Sequence, residues 1–538
     1  MSNLAVAQGI IVLIGILVYS LFFRKKSKST LPLPPGPKPL PILGNIKDVP
    51  PPGTPEYEYW LSFKDKYGPI SSITTLGQTI VLLYEEDVIT EVMEKGSMKS
   101  AGRPWFPFAA MCGYDRFFAL LQYGDQFRLY RRVVHQHFGT KSLVSRFGDI
   151  QEVESRRFLC RVLKDPDHLF QHIKTEAAAI ILQITYGYEI ELEKPDPLVT
   201  LIEHVMTNFS ETTVPFCWAV DIIPGLAYLP DWFPGTGFKR VAREQRALHD
   251  ASADIPYNFV VKQMSNGTNQ ESFASKLITA YRNQGKAADD QIFEEIKWVT
   301  SNVYGGGADT TVTSLMAFVL AMILHPDVQQ KAQEEIDRAV GSDRLPSPSD
   351  QENLPYVDGI VKEALRWHPI APMGVAHEAI DDIFVRGYRI PKGSYILPAV
   401  WWLLHDPKRY AEPLRFAPER YMEPRNEPDP SYHAFGYGRR VCPGRFLAHD
   451  SLFTTISRTL AVFTIGKAVR DGKPVDVEWK HTPGLIDHPV EFPYSIVPRS
   501  EKHAELIRSV ETEHPWKGGS SREALQGVQI LDGLKEIK

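Results

Sequence analysis

The feature that most constrains this chain is a glycine-rich, cationic loop around one cysteine, residues 435–445. Three Gly and one Pro within ten positions predict a tight turn, and Cys442 lies just before an apolar segment, residues 446–463, that is predicted to be a helix. The helix dipole and the neighbouring arginines favour the thiolate over the thiol. A lone cysteine is more often a small buried hydrophobe, but two flanking arginines are poor core material. The loop therefore predicts a functional thiolate.

The loop also matches a known pattern, Phe-x-x-Gly-x-Arg-x-Cys-x-Gly, at every fixed position: Phe435, Gly438, Arg440, Cys442 and Gly444. It resembles the haem-binding loop of cytochrome P-450 monooxygenases. The resemblance implies that Cys442 is the proximal thiolate ligand of a haem b iron and that Arg440 meets a haem propionate. It also implies that the glycines let the backbone approach the macrocycle and donate to sulfur. A thiolate ligand of this kind favours cleavage of the O–O bond.

A second constellation lies between Asp290 and His325, a segment that is largely apolar and has no Pro before Pro326. It is predicted to be one helix of about 54 Å. Residues 305–307 are all Gly, and each Gly costs up to about 1 kcal/mol relative to Ala inside a helix. Close packing on a neighbour would explain them. A phosphate-binding loop would not, because the Lys-Ser/Thr end that it requires is missing.

The sequence Gly306-Gly-Ala-Asp309-Thr310-Thr resembles the oxygen-binding groove of the long central helix in the same family. By that resemblance Thr310 hydrogen-bonds dioxygen and Asp309 links it to solvent. The two side chains would then steer protons to the distal oxygen. We therefore expect Asp309 and Thr310 to be catalytic.

Three charged residues resemble a buried structural trio of the family. Glu363 and Arg366 are spaced i, i+3 on a helix predicted between Pro355 and Pro369, where an ordinary surface ion pair is the alternative. The motif Phe-Ala-Pro-Glu-Arg-Tyr follows about 50 residues later, and its arginine would close the trio. Removing one member of such a trio costs about 3 to 5 kcal/mol. The residues expected to hold the thiolate loop are Glu363, Arg366 and Arg420.

Two further positions resemble haem-propionate partners. Residues 123–132 are similar to the family helix with the motif Trp-x-x-x-Arg, except that Phe127 replaces Trp. Arg131 can therefore keep its role, whereas an indole donor is absent. His377 matches a position where the family often has a basic propionate partner. A lone His is more often a polar surface or capping residue, so both interpretations of His377 stay open.

The amino end predicts a membrane anchor. Residues 4–23 form an uncharged, apolar stretch, and a helix of that length reaches about 30 Å, the thickness of the bilayer hydrocarbon. Four basic residues follow within residues 24–28, so the positive-inside bias keeps the rest of the chain in the cytosol. A cleaved signal peptide would need a basic leader and an exit site, and neither is evident.

The rest of the chain divides into a basic stop and Pro-rich hinge at 24–41, a haem-thiolate catalytic domain at 42–500 and an exposed tail at 501–538. With 60 Lys+Arg against 65 Asp+Glu, the balanced charge excludes a nucleic-acid binder. The 4 Cys contain no Cys-x-x-Cys pair, which argues against a zinc module. We expect a mainly α fold with a smaller β region, the cytochrome P-450 fold, behind a single N-terminal transmembrane helix.

The resemblance implies a haem-thiolate monooxygenase of the microsomal type found in fungal secondary metabolism. It would sit on the endoplasmic reticulum membrane and insert one atom of O2 into an apolar small molecule such as a terpenoid or polyketide. No Gly-x-Gly-x-x-Gly follows a strand, so electrons are expected from a separate NADPH:cytochrome reductase. Cations that could dock this partner are Arg128, Arg132 and Arg445. The sequons at Asn208 and Asn266 are expected to be silent in a cytosolic domain.

By the same resemblance, the substrate pocket is expected to be lined by five parts of the chain: residues 103–118, 205–238, Asn302 with Gly306, 370–375 and 483–489. Two other classes of function stay open. A haem-thiolate isomerase or peroxide-driven oxygenase would share the Cys loop and need no reductase, although the Asp-Thr pair weighs against it. A non-enzymatic, membrane-tethered binding protein would share only the anchor and bind no haem.

Overall fold

A computed structural model describes residues 31–526 except 52, 193, 288, 289 and 517. The predicted anchor, the basic stop that follows it and the end of the predicted tail lie outside the described residues. Within the described part, helices dominate and the sheets are small. The expectation of a mainly α fold with a smaller β region is confirmed.

The helices of eight residues or more form the body of the protein. They are α1 (Glu56–Tyr67), α2 (Asp125–Phe138), α3 (Gly148–Lys164), α4 (Leu169–Tyr186), α5 (Pro197–Thr212), α6 (Phe238–Asn266), α7 (Phe273–Arg282), α8 (Gln291–Leu324), α9 (Pro326–Ala339), α10 (Pro355–Trp367), α11 (Arg445–Val462) and α12 (Glu501–Arg508). Shorter helical segments lie at Glu86–Ile89, Thr90–Lys95, Ser97–Ser100, Pro107–Met111, Tyr114–Arg116, Lys141–Val144, Ser145–Phe147, Pro166–His168, Ala219–Ile222, Pro224–Tyr228, Pro348–Asn353, Val400–His405, Pro418–Tyr421, Ser431–Ala434, Gly438–Arg440, Val510–Glu513 and Ser521–Ala524.

The strands form one four-stranded sheet and three two-stranded antiparallel sheets. They are β1 (Ile70–Thr75), β2 (Gln78–Leu83), β3 (His377–Glu378), β4 (Ile383–Val385), β5 (Tyr388–Ile390), β6 (Tyr395–Pro398), β7 (Phe463–Gly466), β8 (Val469–Arg470), β9 (Lys473–Pro474) and β10 (Ser495–Pro498). The larger sheet has the order β1-β2-β6-β3, in which β2 and β6 run parallel and the other neighbours antiparallel. The two-stranded sheets pair β4 with β5, β7 with β10 and β8 with β9.

The helix α8 runs through the centre of the protein, as predicted. The Asp290 side chain caps its start by accepting a hydrogen bond from the Ile292 N–H at 3.2 Å, and Pro326 prevents it from continuing. Its first half packs in one hydrophobic cluster and its second half, from Val312, in another. Among the described residues, α8 alone is long and apolar enough to span a membrane, but most of that apolar length is buried within the protein.

The glycines of α8 have two separate explanations. A Cβ on Gly305 would lie 2.9 Å from the Phe117 ring, and one on Gly307 would lie 2.7 Å from Ile181 Cγ1. Both glycines therefore permit close packing of neighbouring elements against α8. Gly306 has no neighbour within 4 Å of such a Cβ and lines a cavity.

The Pro-rich segment is extended, as expected, but in the described part it is docked on the sheet. The Ser72 N–H donates to Pro35 O at 2.8 Å and the Ser72 hydroxyl to Pro34 O at 2.6 Å. A Cβ on Gly36 would overlap the Ser72 carbonyl oxygen, so only glycine allows this approach. Because it is bonded along β1, the segment is part of the folded domain and not a free spacer.

The region after residue 500 also differs from the expected exposed tail. Within its described residues, Ile507 and Val510 are buried in the second hydrophobic cluster beside α3. Further along, the Ser520 N–H donates to Glu189 O at 2.8 Å. The apolar side chains scattered among the charges give this segment enough buried surface to pack on the domain.

Candidate active site

One cavity of about 370 Å³ lies between the middle of α8, the start of α11 and the loop that precedes it. Cys442 and Thr310 both line it, and so do three arginines. Most of the other lining side chains are aliphatic or aromatic, and no Asp or Glu of the described residues is among them. The cavity therefore combines a thiol, a hydroxyl and buried cations within an apolar surround.

Cys442 is held by the loop that connects to α11. Its N–H donates to Phe435 O at 2.8 Å, and Gly444 is the N-cap of α11. Burial raises the pKa of the Cys442 thiol, although the N–H groups of Gly444 and Arg445 and the nearby arginines act in the opposite direction. The expectation that the loop by itself favours the thiolate therefore differs from the structure. A further positive charge at the sulfur, such as a metal cation, would supply what is missing.

Gly438 has a different role from the one that the resemblance implies. It does not line the cavity, and its φ of +53° lies in the left-handed region. A Cβ here would overlap the carbonyl oxygen of Met93, while the Gly438 N–H donates to Glu94 Oε1 at 2.9 Å. Gly438 thus fixes the loop onto the helical turn at 90–95 and does not bring the backbone to the cavity.

Arg440 reaches the cavity with one nitrogen free. Its Nε donates to Ala101 O and its Nη2 to Leu121 O, both at 2.8 Å, but the buried Nη1 has no hydrogen-bond partner in the described part of the chain. Burial lowers the pKa of Arg440 to about 9. The guanidinium lies 3.9 Å from the ring centroid of Phe127. The residue that replaces the family Trp therefore gives the arginine an aromatic face instead of an N–H donor.

Two more arginines line the same cavity. Arg131 on α2 donates from Nη1 to Val441 O. Arg103, which the sequence reasoning named only as the edge of a pocket segment, donates to Ala119 O at 2.7 Å and to Val375 O at 2.8 Å. Burial lowers the pKa of Arg103 and of Arg131. The signal that could have identified Arg103 is a cation set in an aromatic, Pro-rich stretch that lacks an acidic partner.

The three arginines need an anion. Within the described residues none of Arg103, Arg131 and Arg440 forms an ion pair with an Asp or Glu, and an unpaired buried charge costs several kcal/mol. A ligand that carries two carboxylates beside an iron atom satisfies both these cations and the Cys442 sulfur. The residues present therefore fit haem b, the cofactor that the resemblance implies.

His377 lies in the cavity wall, and its role as a propionate partner stays a prediction. It begins β3, is buried, and its Nδ1 lies 2.7 Å from Ser100 O. Burial and the charge of Arg103 hold the pKa of His377 well below its usual range. The ring is therefore neutral, with its Nδ1–H donated to a backbone carbonyl and a lone pair at Nε2. Arg103 lines the same cavity and is the cation beside the His377 ring.

The structure places the two expected catalytic side chains on different sides of α8. Thr310 lines the cavity, and its hydroxyl donates to Gly306 O at 2.7 Å. Asp309 does not line this cavity; its Oδ1 lies 3.4 Å from His488 Nε2. His488 was missed by the sequence reasoning, because the helix and the loop that carry the pair are far apart in the chain.

The expected structural trio is assembled and fully buried. Glu363 accepts hydrogen bonds from Arg366 Nε at 2.7 Å and from Arg420 Nε at 2.9 Å, and also from the Tyr421 hydroxyl at 2.9 Å. Although burial opposes ionisation, the two guanidinium groups hold the pKa of Glu363 below its usual range. Arg366 also donates to Leu404 O at 2.8 Å. The trio thus joins α10 to the segments that precede the Cys loop.

A second charged contact joins α10 to α11 and was not predicted. His449 Nε2 lies 3.2 Å from Asp358 Oδ1, and its Nδ1 lies 3.9 Å from Asp450. Burial disfavours the charged ring, but the two carboxylates outweigh it and raise the pKa of His449 to about 9. The i, i+3 and i, i+4 spacings indicate ion pairs within one helix, so they could not predict a contact between residues of two helices.

The predicted lining segments are partly correct. Residues of the main cavity include Phe117, Phe118, Asn302 and Val375, but none comes from the predicted stretches 205–238 or 483–489. Those stretches line a second, smaller cavity beside α1, through residues such as Phe216 and Leu485. Tertiary packing decides which cavity a loop lines, and this cannot be predicted from the amino-acid composition of the loop.

Asn302 holds a loop over the main cavity. Its amide nitrogen donates to Arg116 O at 3.2 Å and to Trp298 O at 2.7 Å, and its amide oxygen accepts from the Phe118 N–H. With every one of these groups occupied, Asn302 positions the aromatic residues Phe117 and Phe118 and is not free to bind a ligand itself.

A family model described as Cytochrome P450 matches residues 34–492. The chain is 47% identical over 502 residues to the multifunctional cytochrome P450 monooxygenase af510 of Aspergillus fumigatus, covering 92% of this chain and 93% of that protein. It is 46% identical to the cytochrome P450 monooxygenase CLM2 of Gibberella zeae, covering 97% and 99%. It is 38% identical to O-methylsterigmatocystin oxidoreductase of Aspergillus flavus, covering 91% and 92%.

A helical domain whose cavity is lined by a thiol, a hydroxyl and arginines that form no ion pair within the described residues defines a haem-thiolate class of site. The matches above show that the chain belongs to the cytochrome P450 family. Proteins of this family bind haem b through a cysteine thiolate, so the protein is an oxidoreductase that incorporates molecular oxygen. Its partners in this class of reaction are O2, a reductase and a small-molecule substrate.

Proposed function

We propose that this protein is a membrane-anchored monooxygenase of the endoplasmic reticulum that hydroxylates an apolar secondary metabolite such as a terpenoid or polyketide. Electrons would come from NADPH through a separate reductase, and the reaction is RH + O2 + 2 electrons + 2 protons to ROH + H2O. The observation that carries the proposal is a cavity shared by Cys442, Thr310 and three arginines that form no ion pair in the described part of the chain. The anchor rests on residues 4–23 of the sequence.

The proposed haem site uses four residues from three parts of the chain. Cys442 would bind the iron, while Arg103, Arg131 and Arg440 would pair with the propionates. The free Nη1 of Arg440 has the donor that a propionate oxygen needs. When bound, haem supplies the redox centre at which dioxygen is activated.

Thr310 is proposed to hold a proton for the reaction. Its hydroxyl faces the cavity and donates to Gly306 O at 2.7 Å, so a small rotation would aim it at an oxygen atom in the cavity. The glycine at 306 leaves space at that point of the helix. Donation by a positioned hydroxyl typically accelerates a step by about 10²- to 10⁴-fold.

The substrate class is proposed from the cavity wall. Aliphatic and aromatic side chains make up most of it, and among its polar groups the Asn302 amide is already bonded to the backbone. Such a wall favours an apolar ligand that is oriented by few polar contacts.

The reductase is proposed to dock where the chain presents cations near α2. Arg132 is exposed, and Arg128 is half-exposed and pairs with Asp125. Arg445 is less accessible, with its guanidinium 4.5 Å from the Phe446 ring centroid. Arg132→Glu should raise the apparent Michaelis constant for reductase, and Arg470→Glu, on the exposed strand β8, should not. Equal kinetics for both variants would contradict this docking surface.

The carbon monoxide difference spectrum of the reduced protein tests the haem-thiolate site. Wild type and Cys217→Ser, which alters an exposed cysteine, should show a red-shifted thiolate-type Soret band, and Cys442→Ser should lose it. NADPH-dependent product formation that requires reductase then separates a monooxygenase from a peroxide-driven enzyme. A Cys442→Ser protein that keeps the band would overturn the assignment.

Replacement of Thr310 tests the proton-donating role. Thr310→Ala should form haem and bind substrate but divert electrons from product to hydrogen peroxide. Thr300→Ala is the matched control, because its buried hydroxyl makes the same type of bond, to Ile296 O at 2.9 Å, away from the cavity. Full coupling of electrons to product in Thr310→Ala would contradict the role.

A further inference from the structure

His488 is the side chain that faces Asp309 on the outer side of α8. Its Nε2 lies 3.4 Å from Asp309 Oδ1, and its Nδ1 lies 2.8 Å from the Thr313 hydroxyl oxygen. The hydroxyl fixes the orientation of the ring so that Nε2 points at the carboxylate. Asp309 is also the residue next to Thr310, which lines the other side of the same helix.

The charges around His488 favour a protonated ring. Asp309 from α8 and Asp487 from the same loop face it, as do Lys174 from α4 and His368 at the end of α10. Burial and Lys174 act against protonation, but the two carboxylates outweigh them and raise the pKa of His488. With 28% of its side chain exposed, the ring keeps access to solvent. It can therefore give up a proton and regain one from water.

Asp309 also borders a small cavity of about 20 Å³. This volume is large enough for one water molecule, and Lys174 and Glu203 line it as well. These two side chains form an ion pair, with 2.5 Å between Nζ and Oε1, and both reach the surface. Asp309 therefore lies between a polar, solvent-connected side and the helix turn that carries Thr310.

We propose that His488 is a proton donor to Asp309, so that the pair resupplies protons from solvent to the Thr310 side of α8. The inference rests on the proposed function, in which Thr310 passes protons to oxygen. In the step, the Nε2–H bond of His488 breaks and an O–H bond forms at Asp309. The neutral ring then takes a proton from water at its exposed edge. Asp309 then releases this proton on the Thr310 side of the helix, where its O–H bond breaks and its carboxylate is restored before the next transfer. No electron moves in this relay, and two such cycles supply the two protons of one turnover.

His481 provides the matched control. It lies on the same loop and is also bound to a carboxylate, but its Nδ1 contacts Asp487 Oδ2 at 2.6 Å instead of Asp309. His481→Gln and His488→Gln therefore each remove a histidine contact to a carboxylate, and only the second removes a donor to Asp309. Both variants should keep the carbon monoxide spectrum and the substrate-induced spectral change of wild type.

Electron coupling and its pH dependence test the relay. His488→Gln should lower the product formed per NADPH by roughly tenfold and should form more hydrogen peroxide, with a larger solvent isotope effect. In wild type, coupling should fall as the pH rises through the pKa of the ring. In His488→Gln this pH dependence should be absent. His481→Gln should follow wild type in all of these. If His488 had a purely structural role, His488→Gln would keep the solvent isotope effect and the pH profile of wild type. That result would overturn the proposal.

Stability gives a readout that is independent of turnover. Asp309→Asn and His488→Gln should each lower the urea midpoint at pH 6, and the double variant should lower it no further. The effect of His488→Gln should decline as the pH rises from 6.5 through the raised pKa of the ring. Additive effects, or effects that do not depend on pH, would overturn the charged pair. Wild-type protein without a thiolate spectrum would overturn the proposed function and the relay together, whereas active wild type with a fully coupled His488→Gln variant would overturn the relay alone.

Discussion

Replacement of His449 should weaken the protein at neutral pH and have little effect in alkali. His449 connects α11, which follows the thiolate, to Asp358 on α10, which carries Glu363. In His449→Gln the amide can still donate a hydrogen bond but cannot carry the charge that the carboxylates stabilise. The comparison therefore isolates the electrostatic part of the contact between the two helices.

The magnitude follows from the pKa of His449, which the fold raises from 6.5 to about 9. A raised pKa means that the folded state binds the proton more tightly. The stabilisation is therefore complete below pH 6.5, declines between pH 6.5 and about 9, and is absent above that range. A difference of about 2.5 pKa units corresponds to about 3 kcal/mol. The side chain is 22% exposed, so we expect a loss of about 2 kcal/mol at pH 6.5.

Urea unfolding of the haem-loaded protein in detergent, followed by tryptophan fluorescence at pH 6.5 and 9.5, measures this loss. His137→Gln is the control: burial lowers the pKa of His137, so that ring is neutral throughout this interval and its replacement should act equally at both pH values. If His449→Gln were equally destabilising at pH 6.5 and 9.5, the charge-based account of the contact would be refuted.

Three other changes have definite expected outcomes. Gly438→Ala should reduce haem retention and lower the free energy of unfolding by at least about 3 kcal/mol. Gly436→Ala, at φ +75° with open space around it, should lower the free energy of unfolding by about 1 kcal/mol. Similar thermal-melting curves of the two variants, followed by haem absorbance, would contradict the packing argument. Glu363→Gln should destabilise the protein by about 3 to 5 kcal/mol in urea unfolding, because two buried arginines lose the carboxylate that they share, and a loss below about 1 kcal/mol would be inconsistent with that role. Asn302→Ala should loosen the loop at Phe118 and weaken substrate binding in spectral titration without changing the carbon monoxide band; unchanged affinity would contradict the positioning role.

The sequence was sufficient to predict those parts of the fold that depend on local signals. The limits of α8 follow from a capping Asp and a terminating Pro, and both lie within one residue of the expected positions. The start of α11 after Gly444 follows from the same kind of local pattern. Short, contiguous motifs also identified Cys442 and the residues of the buried trio.

Other parts of the site depend on contacts between distant segments. The buried position of Arg103 and the lowered pKa of His377 could not be predicted, because they depend on burial and on neighbours that only the folded chain brings together. His488 reaches Asp309 from a loop about 180 residues later, a separation visible in their numbering. The docked Pro-rich segment depends on backbone hydrogen bonds to β1, and composition alone does not specify their partner.

The unpaired arginines of the cavity have a consequence for biosynthesis. A newly made chain that closes its domain before it acquires porphyrin must enclose mutually repelling guanidinium groups, and cofactor capture relieves that repulsion. Maturation of the protein is thus linked to the haem supply of the cell. In haem-starved cells the polypeptide should be degraded by quality control and should not accumulate as a stable haem-free protein.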